Sequence, residues 1–126
     1  MIELIFVIVV LGILAAVAIP MLSATRDDAK AVASMSNFQT AVKDIQSSVA
    51  TQGTIPANLA IIITANSNLL VAGQVVTARV SGQNCAQARI VGQTLGVTLL
   101  SSANNCAIFV NLPVGNIPLD GQTIAF

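Results

Sequence analysis

From Leu4 to Leu22 the chain has nineteen residues without a charge or a polar side chain, and this run limits what it can fold into. As a helix at about 1.5 Å per residue the run is about 28 Å long, close to the thickness of a bilayer's hydrocarbon core. Every face of that helix is apolar, so lipid or other helices must surround it. A secretory signal peptide would instead show a basic start, a shorter apolar core and a small-residue cleavage site. No basic residue precedes this run, and its length predicts a transmembrane segment.

One acid, Glu3, stands at the head of the run. A carboxylate within hydrocarbon costs at least about 2.5–3.5 kcal/mol on insertion scales, so such acids are usually paired. The alternative is a solvated place in the headgroup layer. Further along come Gly12, the small pair Ala15-Ala16 and Pro20. Pro20 donates no hydrogen bond and crowds the carbonyl of Ala16, which predicts a kink or loosening just before it.

Ile2-Glu3-Leu4-Ile5 and Val7 through Pro20 together resemble, almost position by position, the N-terminal helix of the type IV pilins and their relatives. The likeness covers about the first 25 residues and is specific. It implies a bacterial structural subunit that polymerises through this helix into a helical extracellular filament serving adhesion, motility and surface contact. It implies partners as well: other copies of the chain, a leader peptidase, an inner-membrane assembly platform, and the inner membrane itself while the subunit is free. In that family a basic leader is removed and the new N-terminus is methylated. Since mature chains of the family usually start Phe-Thr-Leu-Ile-Glu, two more residues are expected ahead of Met1.

The resemblance gives Glu3 a role: neutralising the N-terminal amine of a neighbouring subunit. Two charges buried in an apolar bundle compensate each other, and removing one partner costs about 3–5 kcal/mol. A helix out of register leaves both uncompensated, so the pair acts as a register pin. The resemblance also implies that the segment between Gly12 and Pro20 unwinds in the filament, with a stretched stretch within Ile13–Ile19, while a free subunit can remain helical.

Beyond Leu22 the pattern turns amphipathic. Ala31, Met35, Phe38, Val42, Ile45 and Val49 are spaced 4, 3, 4, 3, 4, which is one apolar stripe on a helix. Arg26, Asp27, Asp28 and Lys30 mark the exit from lipid. Gly53 and Pro56 predict a stop near residue 52, so residues 1–52 form one helix of about 75 Å. Residues 1–22 are its apolar half, 23–52 its amphipathic half, and 53–126 a globular head.

In the head, short apolar runs alternate with Gly, Asn, Ser and Gln. Leu59–Thr64 reads as a strand or a short helix, Leu69–Val71 as a strand, and Gln74–Val80 as a half-buried strand. Cys85–Val91 is ambiguous between a strand and a helical turn. Val97–Leu100 and Ala107–Leu112 read as strands around a turn at 101–105, and Thr123–Phe126 as an edge strand after a tail with Pro113, Gly115 and Pro118. Gly-Gln recurs at 73, 82, 92 and 121; a spacing near nine in the first three hints at a repeat. The expected fold class is α+β, the long helix packed on a small antiparallel sheet.

Cys85 and Cys106 are the two cysteines. In a head exported from the cytoplasm such a pair most often forms a disulfide, and closing about 22 residues would stabilise by about 3 kcal/mol. Two reduced buried thiols are the alternative. In the pilin family a bridge commonly encloses an exposed variable loop. Here the tail after Cys106 is long, which leaves 86–105 and 111–126 both as candidates for that region.

The chain has no His, Tyr or Trp, five bases and five acids. No histidine base serves any Ser or Cys, no phosphate-cradling glycine loop occurs, and no enzyme, cofactor or metal site is expected. Asp27 and Asp28 lie about 100° apart on a helix, a solvated face rather than a metal site. Arg79 and Arg89 alone make no basic patch, so nucleic acid is not an expected partner. Two related readings stand beside the pilus subunit: a pseudopilin of a type II secretion system and a minor pilin. Major pseudopilins build a calcium site from C-terminal acids, whereas this chain carries only Asp120 beyond Asp44 and has a cysteine pair instead, which favours the pilus.

Overall fold

The computed structural model describes residues 1–102 and 104–119, leaving aside the side chains at 23, 24 and 104. One helix, α1 (Ile2–Gln52), precedes the strands β1 (Leu69–Ala72), β2 (Val75–Val80), β3 (Gln83–Val91), β4 (Thr94–Leu99) and β5 (Gly115–Pro118). Two 3-10 helices, Leu59–Ile61 and Asn104–Asn111, complete the fold. The strands form a single antiparallel meander in the order β1-β2-β3-β4-β5. This is the α+β architecture expected, a long helix packed on a small antiparallel sheet.

Helix α1 stops where its sequence dictates. Gly53 takes the left-handed conformation (φ 65°) and returns its N–H to the carbonyl of Val49 at 2.8 Å. At about 1.5 Å per residue the helix runs about 76 Å. Only its second half docks. Ala31, Phe38, Val42, Ile45 and Val49 are buried and Met35 partly so, joined by Ala41. Ser34 is buried on the same stripe, and its hydroxyl donates to the carbonyl of Arg79 at 2.8 Å, tying α1 to β2.

The pairings set one sheet face toward the helix. Leu69 opposes Ala78, Ala78 opposes Ala86, Val76 opposes Ala88, Ala88 opposes Val97, and Leu95 opposes Ile117. All of these are buried. Helix α1 lies over β1 and β2, and the second 3-10 helix lies over β3 against α1. Small side chains at 78, 86 and 88 leave room where the two helices converge.

The first three of the recurring Gly-Gln pairs mark hairpin turns, and the fourth, at 121, lies outside the described residues. Gly73 (φ 58°) and Gly92 (φ 62°) each take the first place of a two-residue loop, and Gly82 (φ 85°) follows Ser81 (φ 49°) in the middle one. Positive φ at both loop positions is the type I′ requirement; positive φ at the first alone matches type II′. The near-nine spacing is thus the period of a meander, one strand plus one turn, and not of a solenoid.

The register slips once, between Ala78 and Arg79, and Cys85 is the extra residue on β3. This bulge explains why the neighbours Cys85 and Ala86 are both buried although side chains alternate along a strand. It also resolves the ambiguous stretch Cys85–Val91 as strand.

Two local readings are corrected. Ala107–Leu112 is not a strand: the chain is a 3-10 helix over Asn104–Asn111, which takes in Asn104 and Asn105 of the expected turn. Cys106, Phe109 and Leu112 recur every third residue, the period of a 3-10 helix, and all three are buried. Strand β5 was hidden by its own Gly115 and Pro118, and it survives at the sheet edge, where a missing N–H is tolerated. At the other edge, only the first residue of β1 is paired outward: Leu69 exchanges backbone bonds with Asn66 at 3.0 and 3.2 Å. The strand expected at Thr123–Phe126 and the acid Asp120 lie outside the described residues.

Candidate assembly site

The candidate residues fall into two groups that the fold keeps apart. Glu3, Gly12 and Pro20 lie along the undocked half of α1, and Cys85 and Cys106 lie in the head. Over Ile2–Leu22 every side chain is exposed, with mean hydropathy 3.1 in an 18-residue window of which none is buried. Each aliphatic side chain left in water forgoes about 1.5–3 kcal/mol of burial, and by length and composition this half is compatible with membrane insertion.

Glu3 occupies the first turn, where a carboxylate is favoured by the helix dipole, and meets no hydrogen-bond or ionic partner among the described residues. Around Gly12 a Cβ would find no atom within 4 Å. Nothing inside one chain therefore demands glycine there. Pro20 sits within an unbroken helix. The carbonyl of Ala16 receives no N–H from it, and one turn later Thr25 folds its hydroxyl back onto the carbonyls of Met21 (3.3 Å) and Leu22 (3.0 Å). In the single chain the segment 13–19 is helical; its expected stretching concerns the filament.

Cys85 and Cys106 form a disulfide with Cα atoms 5.2 Å apart, and both are fully buried. The bridge ties the bulge of β3 to the second 3-10 helix. It thereby sets Phe109 edge-on against Phe38, ring centroids 6.4 Å apart at 71°. The enclosed segment is not a free loop, since residues 86–99 form most of β3 and all of β4 at the sheet centre. What it exposes is Arg89, Val91 and Thr98 along the strands, the turn at Gly92-Gln93 and the descent through Leu100.

Reduction of the bridge in the detergent-solubilised full chain is expected to destabilise the head by about 3 kcal/mol. Amide exchange in β3 and β4 checks it: protection there should fall with dithiothreitol while α1 residues 4–22 stay unchanged.

Sequence reasoning missed the cleft of about 290 Å³ between Asp27, Asp28, Ala31 and Val32 on α1 and Ala107 and Ile108 on the 3-10 helix. No local signal marks it, because it joins segments almost eighty residues apart. Among the described residues no group of three His, Cys, Asp or Glu is placed to hold a metal ion. No protein-family model, curated protein or solved structure matches this chain.

Proposed function

We propose that this chain is a structural subunit that polymerises through the undocked half of α1 into an extracellular type IV pilus. One observation carries the reading: an apolar helix of membrane-spanning length extends from a folded head and contacts none of it. That division gives one half of the helix to lipid or to neighbouring copies and the other half to the head. The resemblance of Ile2–Pro20 to the pilin helix supplies the function.

In this reading the free subunit waits in the inner membrane with Ile2–Leu22 in lipid, where a leader peptidase and an assembly platform act on it. Assembly exchanges lipid for the equivalent helices of other copies. Glu3 then finds the amine of a neighbour, and Gly12 and Pro20 supply the segment that gives way as helices pack. The polymer serves adhesion, motility and surface contact.

Electron microscopy of filaments sheared from cells tests this. Glu3→Ala is expected to leave the protein in the membrane at its normal level and to cut filament-incorporated protein by at least about a hundredfold, the effect of leaving an amine unpaired. Wild-type cells whose sheared filaments never contain this chain overturn the proposal.

A further inference from the structure

The head carries three charges, the bases Arg79 and Arg89 and one acid, Asp120, which lies outside the described residues. Strand alternation and the pairing of Val75 with Arg89 put both arginines on the sheet face that turns away from α1. Arg79 is spoken for, since its Nη2 donates to the carbonyl of Gly82 at 3.1 Å. Arg89 is exposed and makes no hydrogen bond or ion pair among the described residues. Beside it on the same face stands Val91, 63% exposed. The end of the central strand β3 presents one cation next to one aliphatic side chain.

Its complement lies on the opposite side of the same molecule. The cleft between α1 and the second 3-10 helix is lined by the apolar Ala31, Val32, Ala107 and Ile108 together with Asp27, Asp28 and Asn105. Asp27 already pairs with Lys30 at 3.4 Å, both half exposed. Asp28 is exposed and meets no partner among the described residues. A partly apolar lining with one uncommitted carboxylate matches an aliphatic side chain with one uncommitted guanidinium in charge and character.

We infer that the outer sheet face of one copy, led by Arg89 and Val91, docks in the cleft between α1 and the 3-10 helix of a second copy, with Arg89 meeting Asp28. The partner is taken from the filament reading, on which the inference rests. The two patches lie on opposite faces of the sheet, so one copy cannot close the contact on itself. The interface is heterologous, and a heterologous contact whose rotation does not close propagates as an open helical chain. The head thus adds a lateral contact to the polymerisation proposed for the apolar helices.

Cysteine cross-linking of the full-length protein in membranes and in sheared filaments tests it. The native cysteines are fully buried in their disulfide and do not compete. Asp28→Cys with Arg89→Cys in one chain, treated with a short bis-maleimide linker, should give a ladder of trimers and longer species. A linker is used because an Arg–Asp contact holds Cα atoms farther apart than a disulfide tolerates. Either single variant should stop at monomer and dimer. Separately, Arg89→Asp or Asp28→Arg should each lower the filament yield by about fivefold, and the two together should restore it. The disulfide, visible as a mobility shift on non-reducing gels, reports that each variant has folded.

Filaments that form normally while the double-cysteine chain gives no ladder overturn this contact and leave the pilus reading standing. A ladder in membranes without wild-type filaments overturns the pilus reading and keeps the contact. Charge reversals that assemble like wild type, or a swap as poor as its worse single variant, also overturn the contact.

Discussion

Phe109→Ala is expected to destabilise the head by about 3–5 kcal/mol, the usual cost of deleting a fully buried ring that its surroundings cannot refill. The size of the effect follows from where the ring sits. Phe109 and Phe38 are both fully buried and meet edge-on, so removing one also removes the aromatic contact of the other. The site cannot collapse freely, because the disulfide at Cys106 holds the 3-10 helix one turn earlier.

Unfolding free energies of 5–15 kcal/mol are typical of single domains, so this loss brings a head of this size near its threshold. Amide exchange of β2 and β3 in the full-length chain in detergent would measure it. A second variant, Phe38→Ala, and the double variant close the cycle. A coupling of about 0.5–1.5 kcal/mol is expected from the ring pair. Coupling near zero would mean that the two rings fill separate holes.

That pair also marks a boundary of what the chain discloses before it folds. Helix α1 was legible over its whole length because its signals are long-range and mutually consistent. An unbroken apolar run leads into a stripe of period 3.6 and ends at Gly53 and Pro56. The hairpins left only a trace, the near-nine recurrence of Gly73, Gly82 and Gly92, because two-residue turns demand positive φ at defined places but the same spacing reads equally well as a repeat. The 3-10 helix was not, because Ala107–Leu112 read alone is a short apolar run that suits a strand equally well. Only the burial of Cys106, Phe109 and Leu112 together reveals the period of three, and that burial depends on Phe38 and Cys85, distant in sequence. Strand β5 was hidden for the opposite reason. Its local residues argue against a strand, and pairing of Gly115–Pro118 with β4 overrides them.

The candidate site divides in the same way. Glu3, Gly12 and Pro20 stand out in sequence because each is costly in an apolar helix. Among the described residues none of them is seen to recover that cost: Glu3 has no hydrogen-bond or ionic partner, a Cβ at Gly12 would meet nothing within 4 Å, and Pro20 has no N–H to give the carbonyl of Ala16. Residues that are locally unfavourable and locally unrewarded are expected where the compensation comes from another molecule. Ser34 is the converse. This polar residue carries no signal of its own in the apolar stripe, and its reward, the carbonyl of Arg79, lies forty-five residues away in the same chain.

Leu14→Lys is the substitution that separates the two halves of α1 most sharply. Leu14 is 61% exposed at the middle of the undocked segment and touches nothing in the head. On insertion scales, exchanging leucine for lysine at a membrane helix centre costs about 3–4 kcal/mol. The membrane-inserted fraction is therefore expected to fall by about a hundredfold, and filaments with it. Head stability should stay within about 0.5 kcal/mol of wild type, as sites without shared partners are independent. Fractionation of cells, with amide exchange on whatever protein remains soluble, reads both quantities. If the apolar half instead stood in water, a lysine there would relieve an exposed hydrophobic face and raise the soluble yield of an otherwise unchanged, still-assembling protein. That outcome would remove the physical basis for placing Ile2–Leu22 in lipid or in a filament core. A loss of head stability, in turn, would mean that the two halves of the helix are not independent.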